Sequence, residues 1–415
     1  MSYDSAMIMR SRMGTIAVAA LLAACAAQTP AIKTNQPRQE DSRQTEANAY
    51  TRYELLAPGT AQFKIIYDVT ATTAGAESYF NPIRPGSVAT DESVQDRASG
   101  KPLRFEVVGA GAARAQGVPE AKDGEQFIQI HLARKVPVDG QARLRIIKTY
   151  RDEKSYLERD GLLVFTRPLG IRRNAVLLPA GYEVAQCNYP SQALTEPSGR
   201  LLISFIGVGE AAVPLTVEAR KTSARLQPSN PALEERAIQN RDIVYSLQPP
   251  ETHAFDLFHD YTESKPDADK YLNVVREGST ASNPWARVLD TGAALPVETL
   301  HGDAIPAAWL DPGEAVTRQT EVVVVRFPPV REGESVRLRI GETYTDPKSY
   351  RLENGQLIFD RTFGRPANAV LLPPGWALTG SSIPATLSSS GDRLRLDFVN
   401  PRNDDIHVVI TAVKR

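Results

Sequence analysis

Cysteine, methionine, tryptophan and histidine are all scarce in this 415-residue chain, with two, four, three and five copies. Two cysteines cannot build a disulfide framework, and if Cys25 is used elsewhere Cys187 has no partner at all. It then reads as a lone buried thiol rather than a redox centre. The five histidines (His131, His253, His259, His301 and His407) show no metal-ligand spacing, so neither a metal nor a cofactor is expected. No P-loop, GxSxG or dinucleotide fingerprint is present. Lys and Arg number 48 against 49 Asp and Glu, a net charge of −1. That balance lacks the basic field that nucleic acid requires. Beyond the N-terminal segment, no run is apolar enough to span a bilayer as a helix.

What the chain has instead is the same text twice. Residues 149–184 align without a gap onto 343–378 at an offset of 194, with 18 of 36 positions identical. Upstream, 53–87 align onto 245–279 at an offset of 192, with 13 of 35 identical. The copies span 50–222 and 242–415, each long enough to bury its own core. Each is expected to fold cooperatively when expressed alone, with 223–241 as a linker.

Alternation of apolar and polar residues runs through both copies, as in QFKIIYDVTA at 62–71 and QARLRIIKTY at 141–150. Such a period puts one strand face on a core and the other in water. Glu321–Phe327 is apolar on both faces and reads as an inner strand. Thirty Pro and 27 Gly punctuate the chain, so helices should be few. One is expected in the linker, where Ser229-Asn230-Pro231 precedes ALEERAIQN with a capping residue and Pro at the first helical position. The fold class is therefore all-β: two tandem β-sandwich (immunoglobulin-like) units, each either one sandwich or two smaller ones meeting near Lys148 and Glu342.

The N-terminus carries basic Arg10 and Arg12, then a short apolar stretch ending in Leu22-Ala23-Ala24-Cys25. This resembles the lipobox of bacterial lipoproteins. The resemblance implies that 1–24 is a signal peptide, that Cys25 is lipidated, and that 25–49, polar and without apolar periodicity, tethers the folded part to the membrane. Ala26, in place of Asp, implies the outer membrane, facing the periplasm. The strand rhythm from YDVTA through IQIHL to RLRIIKTY also resembles the N-terminal all-β domain of zinc aminopeptidases. The catalytic HExxH of that family is absent, so the resemblance implies only the β-domain.

The block kept in both copies is T-Y-x-D-x-K-S-Y, then F-x-R-x-x-G-x-x-x-N-A-V-L-L-P-x-G. In an extended chain, adjacent Lys154 and Ser155 point to opposite faces, which argues against a Ser–Lys nucleophile. Asp152 and Asp346 read as turn caps, with Arg167 and Arg361 as internal braces to them or as binding residues. Tyr182 and Trp376, just after LPxG, are candidates for sugar-stacking platforms or for core packing. These observations favour a non-enzymatic cell-envelope lipoprotein whose partners are the membrane and an envelope protein or the cell wall. A glycan- or peptide-binding module is the alternative. A hydrolase with an unfamiliar site in one copy would place it among His253, His259 and Asp260.

Overall fold

The computed structural model describes residues 43–415 apart from 87, 210, 231, 232, 309 and 314. The expected signal peptide, the lipobox-like segment at Cys25 and the expected tether as far as residue 42 lie outside the described residues. The first strand, Glu46–Leu55, opens four residues before the sequence boundary of the first copy.

Each copy is built from three antiparallel-dominated sheets. In the first, the large sheet runs in the order Gln192–Thr195, Leu201–Ile206, Arg173–Leu177, Glu46–Leu55, Gln62–Ala71, Ala142–Arg151, Val88–Asp96. The second copy repeats this order and adds one edge strand, Ala294–Leu295. A four-stranded sheet (Tyr182–Cys187, Val213–Lys221, Leu162–Leu169, Tyr156–Arg159) and a three-stranded one (Ser78–Ile83, Gln126–His131, Phe105–Gly109) complete the first copy. Both have counterparts in the second. No strand of one copy pairs with a strand of the other among the described residues.

The alternation explains the layering. Tyr53, Phe63, Ile65, Ile146 and Tyr150 on the inner face of the large sheet pack against Phe165, Leu215 and Val217 of the four-stranded sheet and Ile128 and Ile130 of the three-stranded one. A single continuous large sheet thus carries both smaller sheets. Glu321–Arg326 is the central strand of its three-stranded sheet, with four consecutive buried valines. One pairing is parallel: Tyr50–Glu54 with 173–177, repeated as 242–246 with 367–371. The strand entering each copy is therefore held in the sheet's interior by a segment some 120 residues later.

The linker helix does not form; the described residues there make a turn at Arg236–Ile238. Tertiary contacts override the local start signal. The Glu235 carboxylate accepts from Tyr50 Oη at 2.9 Å and Ser204 Oγ at 3.0 Å, and Ala237 is buried beside Tyr50, Ala175 and Leu177. Arg236 donates to the Gly364 carbonyl at 2.9 Å, in the other copy. The α-helices lie instead at equivalent points of the two copies, Ala110–Ala115 and Ala304–Ala307, too short for a periodic signal.

The copies also meet directly. Arg143 is 1% exposed and donates from Nε and Nη2 to the Asp290 carboxylate at 2.8 Å each, and from Nη1 to Ser335 Oγ at 3.0 Å. The backbone N–H of Gln141 donates to the Leu289 carbonyl and that of Ser335 to the Ala98 carbonyl, at 2.9 and 3.0 Å.

Candidate ligand site in the first copy

Strand Ala142–Arg151 presents Leu144, Ile146, Lys148 and Tyr150 inward, since alternate residues share a face. Lys148 is the polar exception in that row and is 5% exposed. Across the core, strand Ser78–Ile83 turns Tyr79 and Asn81 towards it. Lys148 Nζ donates to Asn81 Oδ1 at 2.7 Å and lies 5.0 Å from the centre of the Tyr150 ring. No described carboxylate forms an ion pair with this ammonium. Burial, followed by repulsion from Arg167, lowers its pKa to about 8.

Arg167 is 8% exposed, with its guanidinium 5.6 Å from the Phe63 ring centre and 5.7 Å from that of Tyr150. Its charge is answered by Asp152 Oδ2 at 3.3 Å. Burial works against ionisation of Asp152, but the Ser155 hydroxyl, the N–H groups of Lys154 and Ser155, and Arg167 outweigh it and lower the pKa. The second copy repeats the brace: Arg361 Nη1 lies 3.1 Å from Asp346 Oδ2.

Lys148 and Arg167 open onto a cavity of about 650 Å³ walled by Tyr53, Tyr67, Tyr79 and Tyr150, within the size range of small-molecule sites. Glu120 and Lys122, both exposed, stand at its opening. At the other end the Glu46 carboxylate accepts hydrogen bonds from Tyr67 Oη at 3.2 Å and from Tyr79 Oη. Burial first, and Glu46 second for Tyr67, hold both phenols protonated.

The second copy keeps the position but changes the chemistry. Glu342 replaces Lys148, Asn273 replaces Asn81 and His259 replaces Tyr67. Glu342 is 3% exposed; Asn273 Nδ2 donates to its Oε1 at 2.5 Å, and its Oε2 has no partner. Burial, then Glu321, raises its pKa to about 7. His259 is pushed down to about 4, mainly by burial.

The sequence candidates fall in three places. Asp152 with Arg167, and Asp346 with Arg361, come together as pairs, and only Arg167 also lines the cavity. Tyr182 and Trp376 are each 7% exposed and pack within the two cores. Cys187 is half-buried, its Sγ 3.3 Å from the Tyr189 carbonyl. His253 Nδ1 lies 3.0 Å from the Tyr350 carbonyl, and Asp260 is held bidentately by Arg339 at 2.7 and 2.9 Å. No cluster of three His, Cys, Asp or Glu suited to a metal occurs among the described residues. Sequence reasoning missed Lys148 as a site residue. Its signal was there: a lysine in the inward row of an alternating strand, replaced by glutamate in the other copy.

No family model matches this chain, and no curated protein does. Among solved structures it is similar to an M1 zinc metallopeptidase from Deinococcus radiodurans, at 15% identity and TM-score 0.28, over 41% of each chain. It is also similar to an aminopeptidase N family protein from Idiomarina loihiensis, at 10% identity and TM-score 0.24, over 41% of this chain and 29% of that one. A third match is the collagen adhesin of S. aureus, at 8% identity and TM-score 0.14, over 77% of this chain and 86% of that one. The chain thus covers well under two thirds of either peptidase.

Proposed function

We propose that this protein is a non-enzymatic, lipid-anchored component of a bacterial envelope that holds a small organic ligand in its first copy. The observation that carries this reading is the cavity of about 650 Å³, ringed by tyrosines and containing a buried ammonium without a carboxylate partner. The residues common to both copies, Asp152/Asp346 and Arg167/Arg361, serve the braces, so the ligand-facing chemistry lies where the copies differ. The second copy then buttresses the first through Arg143–Asp290. Anchoring rests on the lipobox at Cys25: the Cys25→Ser variant should leave the membrane fraction for the soluble periplasm or accumulate as precursor. Ligand holding is tested by thermal shift against a library of small metabolites, since a ligand that binds only the folded state raises Tm. A hit that the cavity-filling Ile65→Phe variant loses supports the reading; a hit that survives that substitution, or no hit, overturns it.

A further inference from the structure

Resting on that reading, we infer that the ligand is a ring-bearing monocarboxylate, its carboxylate received by Lys148 Nζ beside Arg167 and its ring packed on the cavity's tyrosines. The charge count leads to one anionic group. Arg167 already has Asp152 at 3.3 Å, and Arg84, half-buried at the rim, remains reachable by water. Glu46 is exposed and accepts from two phenols. Glu92 acts on Lys148 only at a distance. What remains uncompensated in the interior is a single positive charge. An ammonium has three N–H donors, and Asn81 accepts one of them at 2.7 Å. A buried cation without a counter-ion is costly, and a ligand carboxylate removes that cost at the moment it binds.

The walls specify the rest of the molecule. Tyr53, Tyr67, Tyr79 and Tyr150 line the cavity together with Ile65, and aromatic side chains pack planar or sugar rings better than flexible chains. The second copy cannot take the same ligand, because Glu342 stands where the ammonium would be and repels an anion. One ligand per chain follows.

Calorimetric titration of the full chain at pH 8 tests this with benzoate, glucuronate and acetate, set against neutral benzamide and methyl glucoside. Benzoate or glucuronate should bind with a stoichiometry of one, about tenfold or more tighter than its neutral counterpart and than acetate. Which of the two binds distinguishes an aromatic acid from a sugar acid. Binding should also take up a proton, read as a heat that changes between phosphate and Tris buffers, because the carboxylate restores the charge on Lys148. Lys148→Met should abolish the uptake and the preference for the acid. The wild-type comparisons stand even if that variant folds poorly. Equal binding of acid and amide, or proton uptake that persists in Lys148→Met, overturns the anionic ligand and leaves the cavity as a binding site. If no carboxylate probe binds, the inference falls; if the metabolite library also gives no hit, the ligand-holding reading falls with it.

Discussion

Lys148 and Glu342 occupy the same place on the inner faces of equivalent strands, with opposite charge, each hydrogen-bonded to the equivalent asparagine. Asn81 accepts through its oxygen; Asn273 donates through its nitrogen. An amide is both acceptor and donor, so one backbone position serves either sign of charge. After duplication, this is a point where the copies could diverge without changing a strand.

The first consequence is for stability. Below its folded pKa of about 8, Lys148 is charged in both states, and the folded state bears the full cost of burying that charge. Replacing it with methionine should raise stability at pH 7 by about 1–3 kcal/mol. Denaturant melts at pH 7 measure this; a less stable variant would show that the ammonium is already compensated.

The second copy should show two opposed pH effects. Glu342, raised to about 7, binds its proton more tightly when folded. Its contribution is present below the unfolded carboxyl range and is lost as pH rises through 7. His259, depressed to about 4, gives stability that is present above pH 6.5 and lost as pH falls through 4. The two nearly cancel in the intact protein. Glu342→Gln should therefore leave stability rising from pH 4.5 to 6.5, and His259→Phe should leave it falling from pH 4.5 to 7. Thermal melts across that range that give parallel curves for both variants would refute the opposition.

The braces should respond unequally. Asp346 is more buried than Asp152, with side-chain exposures of 3% and 10%. Arg361→Leu leaves the deeper carboxylate unpaired and should cost about 3 kcal/mol, more than Arg167→Leu does. Only Arg167→Leu should also alter binding in the cavity. Chemical denaturation paired with a ligand titration separates the two effects.

Strands with a single apolar face were readable from sequence: Gln62–Ala71 and Ala142–Arg151 both fall where alternation places them. The edge strand Val88–Asp96 was not, because an edge with one partner and much solvent tolerates VATDESVQD. The linker start signal misled, since Pro231 and its neighbours carry only local preference, whereas Glu235, Arg236 and Ala237 are claimed by both copies. The Asp–Arg braces could be guessed from what both copies keep. Lys148 was marked only as a lysine in an inward row exchanged for glutamate in the other copy; its partner Asn81, 67 residues earlier and facing it across the core, had no signal in the sequence.

The contact between copies is crosswise. Gln141 of the first meets Leu289 of the second, and Ser335, the counterpart of Gln141, meets Ala98 near the first copy's equivalent of Leu289. A patch that meets its own counterpart in this way is isologous, the arrangement found in two-fold dimers. Only the second copy carries both halves of the joint, Asp290 and Arg337, the counterpart of Arg143; in the first, Ala98 stands where Asp290 does. Residues 242–415, made separately, should fold around their own sheets and self-associate, and sedimentation at rising concentration would show a monomer–dimer equilibrium. In the full chain the linker replaces that bimolecular encounter with an effective concentration on the order of millimolar, so association no longer depends on how much protein the cell makes.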